Sequence, residues 1–155
     1  MSLLPDPLHP AVVHFPIALA FVALLFEALS RVRRWRNLEP AAALLVVLAA
    51  LAAVATVLTG SLAADSAVVP RAAASLLDHH EELGESAMWV LLVLAAVRIL
   101  MARMRWFGGW AAWLFLLAFA VAVGMVGWNG HLGGELVFDH GVGTTPVQQH
   151  ALPPL

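Results

Sequence analysis

The feature that most constrains this chain is the stretch between Pro40 and Asp65, which contains no charged side chain. An α-helix needs about 20 apolar residues to cross the hydrocarbon core of a bilayer, and this stretch is long enough. Water-soluble domains average about 25% charged and 45 to 50% apolar residues. This chain has 12% charged and 62% hydrophobic residues, so the sequence predicts a membrane protein and excludes a water-soluble domain.

Three further apolar stretches accompany this one. The four predicted membrane spans cover about residues 10–30, 40–62, 74–102 and 109–129, and residues 130–155 form a C-terminal tail. Because short connections force neighbouring helices to run antiparallel, both termini are expected on the same membrane face. The sequence predicts an all-α fold, in which residues 1–155 form one antiparallel bundle of four transmembrane helices.

The arginines predict how the bundle is oriented. All cations except Arg71 lie on the face opposite the predicted termini: Arg31, Arg33, Arg34, Arg36, Arg98, Arg103 and Arg105. Cytoplasmic loops of membrane proteins carry an excess of Lys and Arg, so we expect a multi-pass protein of the inner (cytoplasmic) membrane with periplasmic N- and C-termini. Glu27, four residues before Arg31, predicts an ion pair, and Arg98 is expected to extend to the same membrane surface.

Several function classes are excluded by residues that the chain lacks. A formal net charge of -2 offers no basic surface for nucleic acid. The absence of cysteine removes thiol catalysis and cysteine-bound metal sites. The segment from His79 to Gly84 lacks the second histidine of a zinc protease helix, and no nucleophile motif is present. A non-catalytic redox carrier or a subunit is therefore a better interpretation than an enzyme.

The histidines are the strongest candidates for a functional site. All seven are predicted on the face that holds the termini: His9, His14, His79, His80, His131, His140 and His150. His14 lies within the first turns of helix 1, and His79 and His80 lie about two turns inside helix 3, where ionisable groups are usually functional. Adjacent helical residues diverge by about 100°, so only one of His79 and His80 faces the bundle. His80, on the side of Gly84, is preferred.

Two segments carry a resemblance to a known family. The segments HPAVVHFPIAL, residues 9–19, and GGELVFDHGVG, residues 133–143, resemble the two hallmark motifs of the bacterial four-helix membrane proteins of domain of unknown function family 2231. The family pattern maps its histidines onto His9, His14, His80 and His140, with His79 an equal match for the helix 3 position. The resemblance implies redox work at the outer face of the membrane, because the family domain is sometimes linked to respiratory modules such as c-type cytochrome or Rieske domains. Phe138 stands where a tyrosine is common, so a tyrosine hydroxyl has no role here.

Three functions stay open from the sequence. The first is a haem b protein that transfers electrons at the periplasmic face, with His14 and His80 as axial ligands and His131 and His140 as a second pair. His79 is the alternative on helix 3, and Arg71, the one cation on that face, would bind a haem propionate. A periplasmic or membrane redox protein would be the partner.

The second hypothesis is a copper, zinc or iron site formed by His14, His80, His131 and His140. The carboxylates of Asp78, Glu81 and Asp139 would support these ligands from outside. The third is a structural subunit or homodimer. Its basis is a ridge of small residues on helix 2, which would let another helix approach closely: Ala52, Thr56, Gly60 and Ala64.

The predicted orientation has a direct test. Alkaline phosphatase is active only after export, so a fusion after Leu155 should be active and a fusion at Asn37 should be inactive. Enzyme activity of the two fusions, normalised to the amount of fusion protein, measures the difference. The reverse pattern would contradict the arginine argument and place the histidines in the cytoplasm.

Overall fold

The computed structural model describes residues 8–106 and 109–144, and these residues form helices and connecting turns. The α-helices are α1 (His9–Val12), α2 (His14–Ser30), α3 (Glu39–Ser66), α4 (Ala74–Met104) and α5 (Trp110–Phe138). Short 3-10 helices at Arg33–Leu38 and Arg71–Ala73 precede α3 and α4. Four stretches are long and apolar enough to cross a membrane: His9–Ser30, Arg33–Ser66, Arg71–Met104 and Trp110–Phe138. The prediction of an all-helical protein with four spans is confirmed.

The first span is interrupted at Val13, between α1 and α2. Pro16 has no backbone N–H, so it cannot donate the hydrogen bond that the Val12 carbonyl would receive in an unbroken helix. Pro10 occupies the first turn of α1, where a missing N–H costs nothing. Val13 itself keeps helical backbone angles (φ −58°, ψ −28°), so α1 and α2 follow one another as a single apolar span.

The long helices form a closed ring in which α2 packs against α3 and α5, α3 against α4, and α4 against α5. Small side chains dominate the buried faces, and Ala20, Ala49 and Ala87 allow close approach between helices. Contacts at both ends of the bundle show that neighbours are antiparallel. The end of α4 meets the end of α2 and the start of α3, and the early part of α4 meets the late part of α5.

The fourth helix is longer than the sequence predicts. Its span was expected to end near residue 129, but α5 continues to Phe138, so residues 130–138 of the predicted tail are helical. Leu132 and Leu136 are buried one turn apart and extend the apolar face of α5, which outweighs the low helix propensity of the glycines. The chain turns away at Gly141, whose φ of +67° suits glycine, and its N–H bonds to the carbonyl of Val137.

Four charged side chains form a buried cluster where α2 ends and α3 begins. Glu27 and Arg98 have 0% and 1% of their surface exposed, and Arg98 donates a hydrogen bond from Nε to Glu27. Arg98 Nη2 also donates to Glu39 at 2.9 Å, and Arg31 donates to the second Glu27 oxygen at 2.7 Å. The expected pair of Glu27 and Arg31 is present. Arg98, however, does not extend to the surface, because these two carboxylates compensate its charge inside the bundle.

Loss of Arg98 should destabilise the bundle strongly, because Glu27 would keep a buried charge with only one partner. Breaking a buried ion pair from one side costs about 3 to 5 kcal/mol. Arg98→Met should therefore lower the thermal unfolding temperature in detergent far more than Arg103→Met, which removes an exposed arginine from the same helix. Equal unfolding temperatures for the two variants would show that the cluster does not hold the helices together.

Candidate functional site

His9 anchors the short helix α1 to the third helix of the chain. Its half-buried ring lies with Nδ1 at 3.2 Å from the backbone carbonyl oxygen of Thr56 in α3. The ring also packs on Gly60, where an added Cβ would lie only 3.1 Å from the His9 Cε1 atom. Glycine at position 60 therefore makes room for the imidazole, and the small-residue ridge of α3 receives a side chain of this chain at that point.

His80 repeats this arrangement between α4 and α5. Its Nδ1 lies 3.1 Å from the backbone carbonyl oxygen of Asn129, and its ring packs on Gly133, where an added Cβ would lie 3.1 Å from Cε1. In both cases the histidine binds the carbonyl of one residue and packs on a glycine four positions later. Helices α3 and α5 thus provide the same kind of packing position for an imidazole ring. In α3 it consists of Thr56 and Gly60, and in α5 of Asn129 and Gly133.

These hydrogen bonds define the chemistry of both rings. A carbonyl oxygen only accepts, so Nδ1 of His9 and of His80 must carry the proton. In the neutral ring, Nε2 then keeps its lone pair and can coordinate a metal. Metal-binding histidines usually donate their other ring N–H to a carbonyl or carboxylate, which fixes the tautomer and the ring orientation. The two rings have the hydrogen bonding that this role requires.

The two histidines lie at the same end of the bundle. His9 and His80 lie within electrostatic range of each other. Two polar side-chain atoms of the residues that hold them, Thr56 Oγ1 and Asn129 Oδ1, are buried without a hydrogen-bond partner in the described part of the chain. Unpaired buried polar atoms are costly, and they are typical of places where a ligand or bound water completes the structure. Each imidazole is thus held by a residue whose side chain has one unpaired polar atom.

Other histidines proposed from the sequence lie elsewhere. His14 is exposed, and its Nδ1 bonds to the Pro10 carbonyl at 2.9 Å within the same span. The structure places His9, not His14, against α3, because the two residues are five positions apart and therefore lie on different faces of the first span. His79 and His131 are exposed, and the His131 ring lies 5.3 Å from the ring of Trp128.

His140 is half-buried just beyond the end of α5, and Arg71 is exposed in the 3-10 helix before α4. The three carboxylates expected to support a metal site, Asp78, Glu81 and Asp139, are exposed. Within residues 8–106 and 109–144, no three histidines or acidic residues are grouped to hold a metal ion, so the expected four-histidine set is not assembled. His150 lies outside the described residues.

A comparison with protein families agrees with this architecture. A family described as "Predicted membrane protein (DUF2231)" matches residues 5–146. No curated protein and no solved structure matches the chain.

The glycines beside the two rings give a test of the site geometry. Gly60→Val and Gly133→Val should each force an imidazole out of place, and overpacking of this kind costs about 1 to 3 kcal/mol. Gly124→Val is the matched control, because an added Cβ at Gly124 meets nothing within 4 Å. Thermal unfolding in detergent should show lower stability for the first two variants than for the control. Three equal values would contradict the packing of the rings on these glycines.

Proposed function

This chain belongs to the DUF2231 family of membrane proteins, and we propose that it is a haem b protein that transfers electrons within the membrane. His9 and His80 are the proposed axial ligands. The observation that carries this proposal is that each ring has Nδ1 fixed on a backbone carbonyl, which leaves Nε2 available for iron. The ligands come from the first and third spans, an arrangement that helical bundles use for haem.

The number of donors favours haem over a bare metal ion. Protein zinc sites use three or four side-chain ligands, and copper sites of the blue type also use at least three. Haem brings four nitrogen ligands of its own and needs only one or two from the protein. The described residues supply two imidazoles at this site and no third histidine or carboxylate in a metal-binding group. Two axial histidines match haem iron.

The surrounding residues have separate roles in this proposal. The carbonyls of Thr56 and Asn129 orient the rings, and Gly60 and Gly133 let them lie close to the helices. When bound, haem would supply one-electron redox chemistry. Arg71 stands at the start of the helical stretch that carries His80, so its charge is available at the same end of the bundle for a propionate.

The charge distribution supports an orientation for this activity. The histidine site lies at the end of the bundle opposite the cluster of Arg31 and Arg98, where most arginines are found. By the positive-inside rule, the proposed electron transfer takes place at the periplasmic side of the inner membrane. The proposed partner is a periplasmic or membrane redox protein that reaches this side.

Absorption spectroscopy of the purified full-length protein tests the proposal. We expect a Soret band that shifts on reduction by dithionite. His9→Ala and His80→Ala should each lower the haem content or convert the spectrum to a high-spin form, because one axial ligand is lost. His14→Ala and His131→Ala are matched controls, since both residues are exposed histidines of the same chain. Their spectra should equal that of the unmodified protein.

Other outcomes would reject the proposal in distinguishable ways. A colourless protein with stoichiometric copper, zinc or iron would show that the imidazoles bind a metal ion instead of haem. A folded protein with neither haem nor metal would support a structural subunit. If His14→Ala changed the spectrum and His9→Ala did not, haem would be present but the assigned ligands would be wrong.

A further inference from the structure

A groove on the outside of the bundle runs between α3 and α4, at the end that carries the charged cluster. Its volume is about 380 Å³. The lining residues are Ala43, Leu44, Val47, Ile99, Ala102 and Arg103. Ala43 and Ala102 form the floor of the groove because their side chains are small. Leu44 and Ile99 form its walls and expose 59% and 46% of their surface. The groove faces away from the ring of helices and therefore toward lipid.

The groove has one polar end. Helix α3 begins at Glu39 and α4 ends at Met104, so Ala43 and Arg103 lie near the helix ends. Val47 and Ile99 each lie one helical turn deeper, about 6 Å farther into the membrane at 1.5 Å per residue. The lining thus changes from a cation at the level of the lipid headgroups to apolar side chains at the level of the acyl chains.

Arg103 is available for a ligand at this end. Its side chain is exposed, and no carboxylate in residues 8–106 and 109–144 forms an ion pair with it. Two acidic residues at this end of the bundle are engaged elsewhere, since Glu27 binds Arg31 and Arg98, and Glu39 binds Arg98. This end of the bundle consequently attracts anions at the membrane surface.

We propose that the groove binds an anionic glycerophospholipid, with its phosphate on Arg103 and one acyl chain along Val47 and Ile99. The order of polar and then apolar residues along the groove matches an amphiphilic molecule that stands upright in the bilayer. A neutral, zwitterionic phospholipid would bring its own cation close to Arg103 and would be bound less well. The proposal does not depend on the function assigned to the histidines, which lie at the other end of the bundle.

Native mass spectrometry of the full-length protein in detergent, with added phosphatidylglycerol or phosphatidylcholine, tests this site. Phosphatidylglycerol should bind more tightly than phosphatidylcholine. Arg103→Gln should weaken phosphatidylglycerol binding about fivefold, which corresponds to the loss of one arginine contact at a membrane surface. Arg34→Gln is the control, because it removes an exposed arginine from the same end of the bundle outside the groove.

A second variant tests the apolar part of the groove without changing the charge of the protein. Ile99→Trp fills the apolar part at an exposed position, so the core and all arginines stay intact. It should reduce lipid binding although the net charge is unchanged. The proposal would be overturned if both lipids bound equally, if Arg34→Gln weakened binding as much as Arg103→Gln, or if Ile99→Trp had no effect.

Discussion

Inside a bilayer every polar group must find its partner within the protein, and this constraint determines the main features of the structure. It favours helices, because a helix satisfies its own backbone hydrogen bonds. It also accounts for the position of Arg98, which has 1% of its surface exposed and binds two carboxylates. The same requirement holds His9 and His80 on backbone carbonyls instead of leaving their rings exposed to lipid.

The two ends of the bundle meet this requirement with different chemistry. At one end, Glu27, Arg31, Glu39 and Arg98 neutralise one another and join the first, second and third membrane spans of the chain. At the other end, imidazole rings join α1 to α3 and α4 to α5. In the charged cluster, both oxygens of Glu27 and one oxygen of Glu39 bind arginines. The histidine site keeps a nitrogen lone pair on each ring and can therefore take a ligand.

The sequence predicted the fold better than the site. Charge-free stretches and arginine-rich connections are local properties, and they were sufficient to predict four antiparallel spans. The ion pair of Glu27 with Arg31 also followed from spacing on one helix, but the burial of Arg98 depends on Glu39 from another helix. The end of the fourth helix was placed too early, because burial of Leu132 and Leu136 offsets the glycines around them. Local helix propensity does not include this contribution from tertiary packing.

The choice between His9 and His14 shows the same limit. Depth in the first span favours His14 over His9, but the two residues lie on different faces of that span, and His9 is the one that contacts α3. The chain does contain a signal for the positions of His9 and His80. Thr56 precedes Gly60, and Asn129 precedes Gly133, by the same four residues. Only the structure shows that an imidazole ring packs at each of these two pairs of residues.

The central claim is that His9 and His80 together coordinate one haem iron. Electron paramagnetic resonance of the oxidised, purified protein tests it most directly, because the spectrum reports the axial ligands of ferric iron. The account predicts a low-spin ferric signal with one spin per chain and the anisotropy of two imidazole ligands. A folded protein that shows no ferric haem signal, or only a high-spin one, would contradict it.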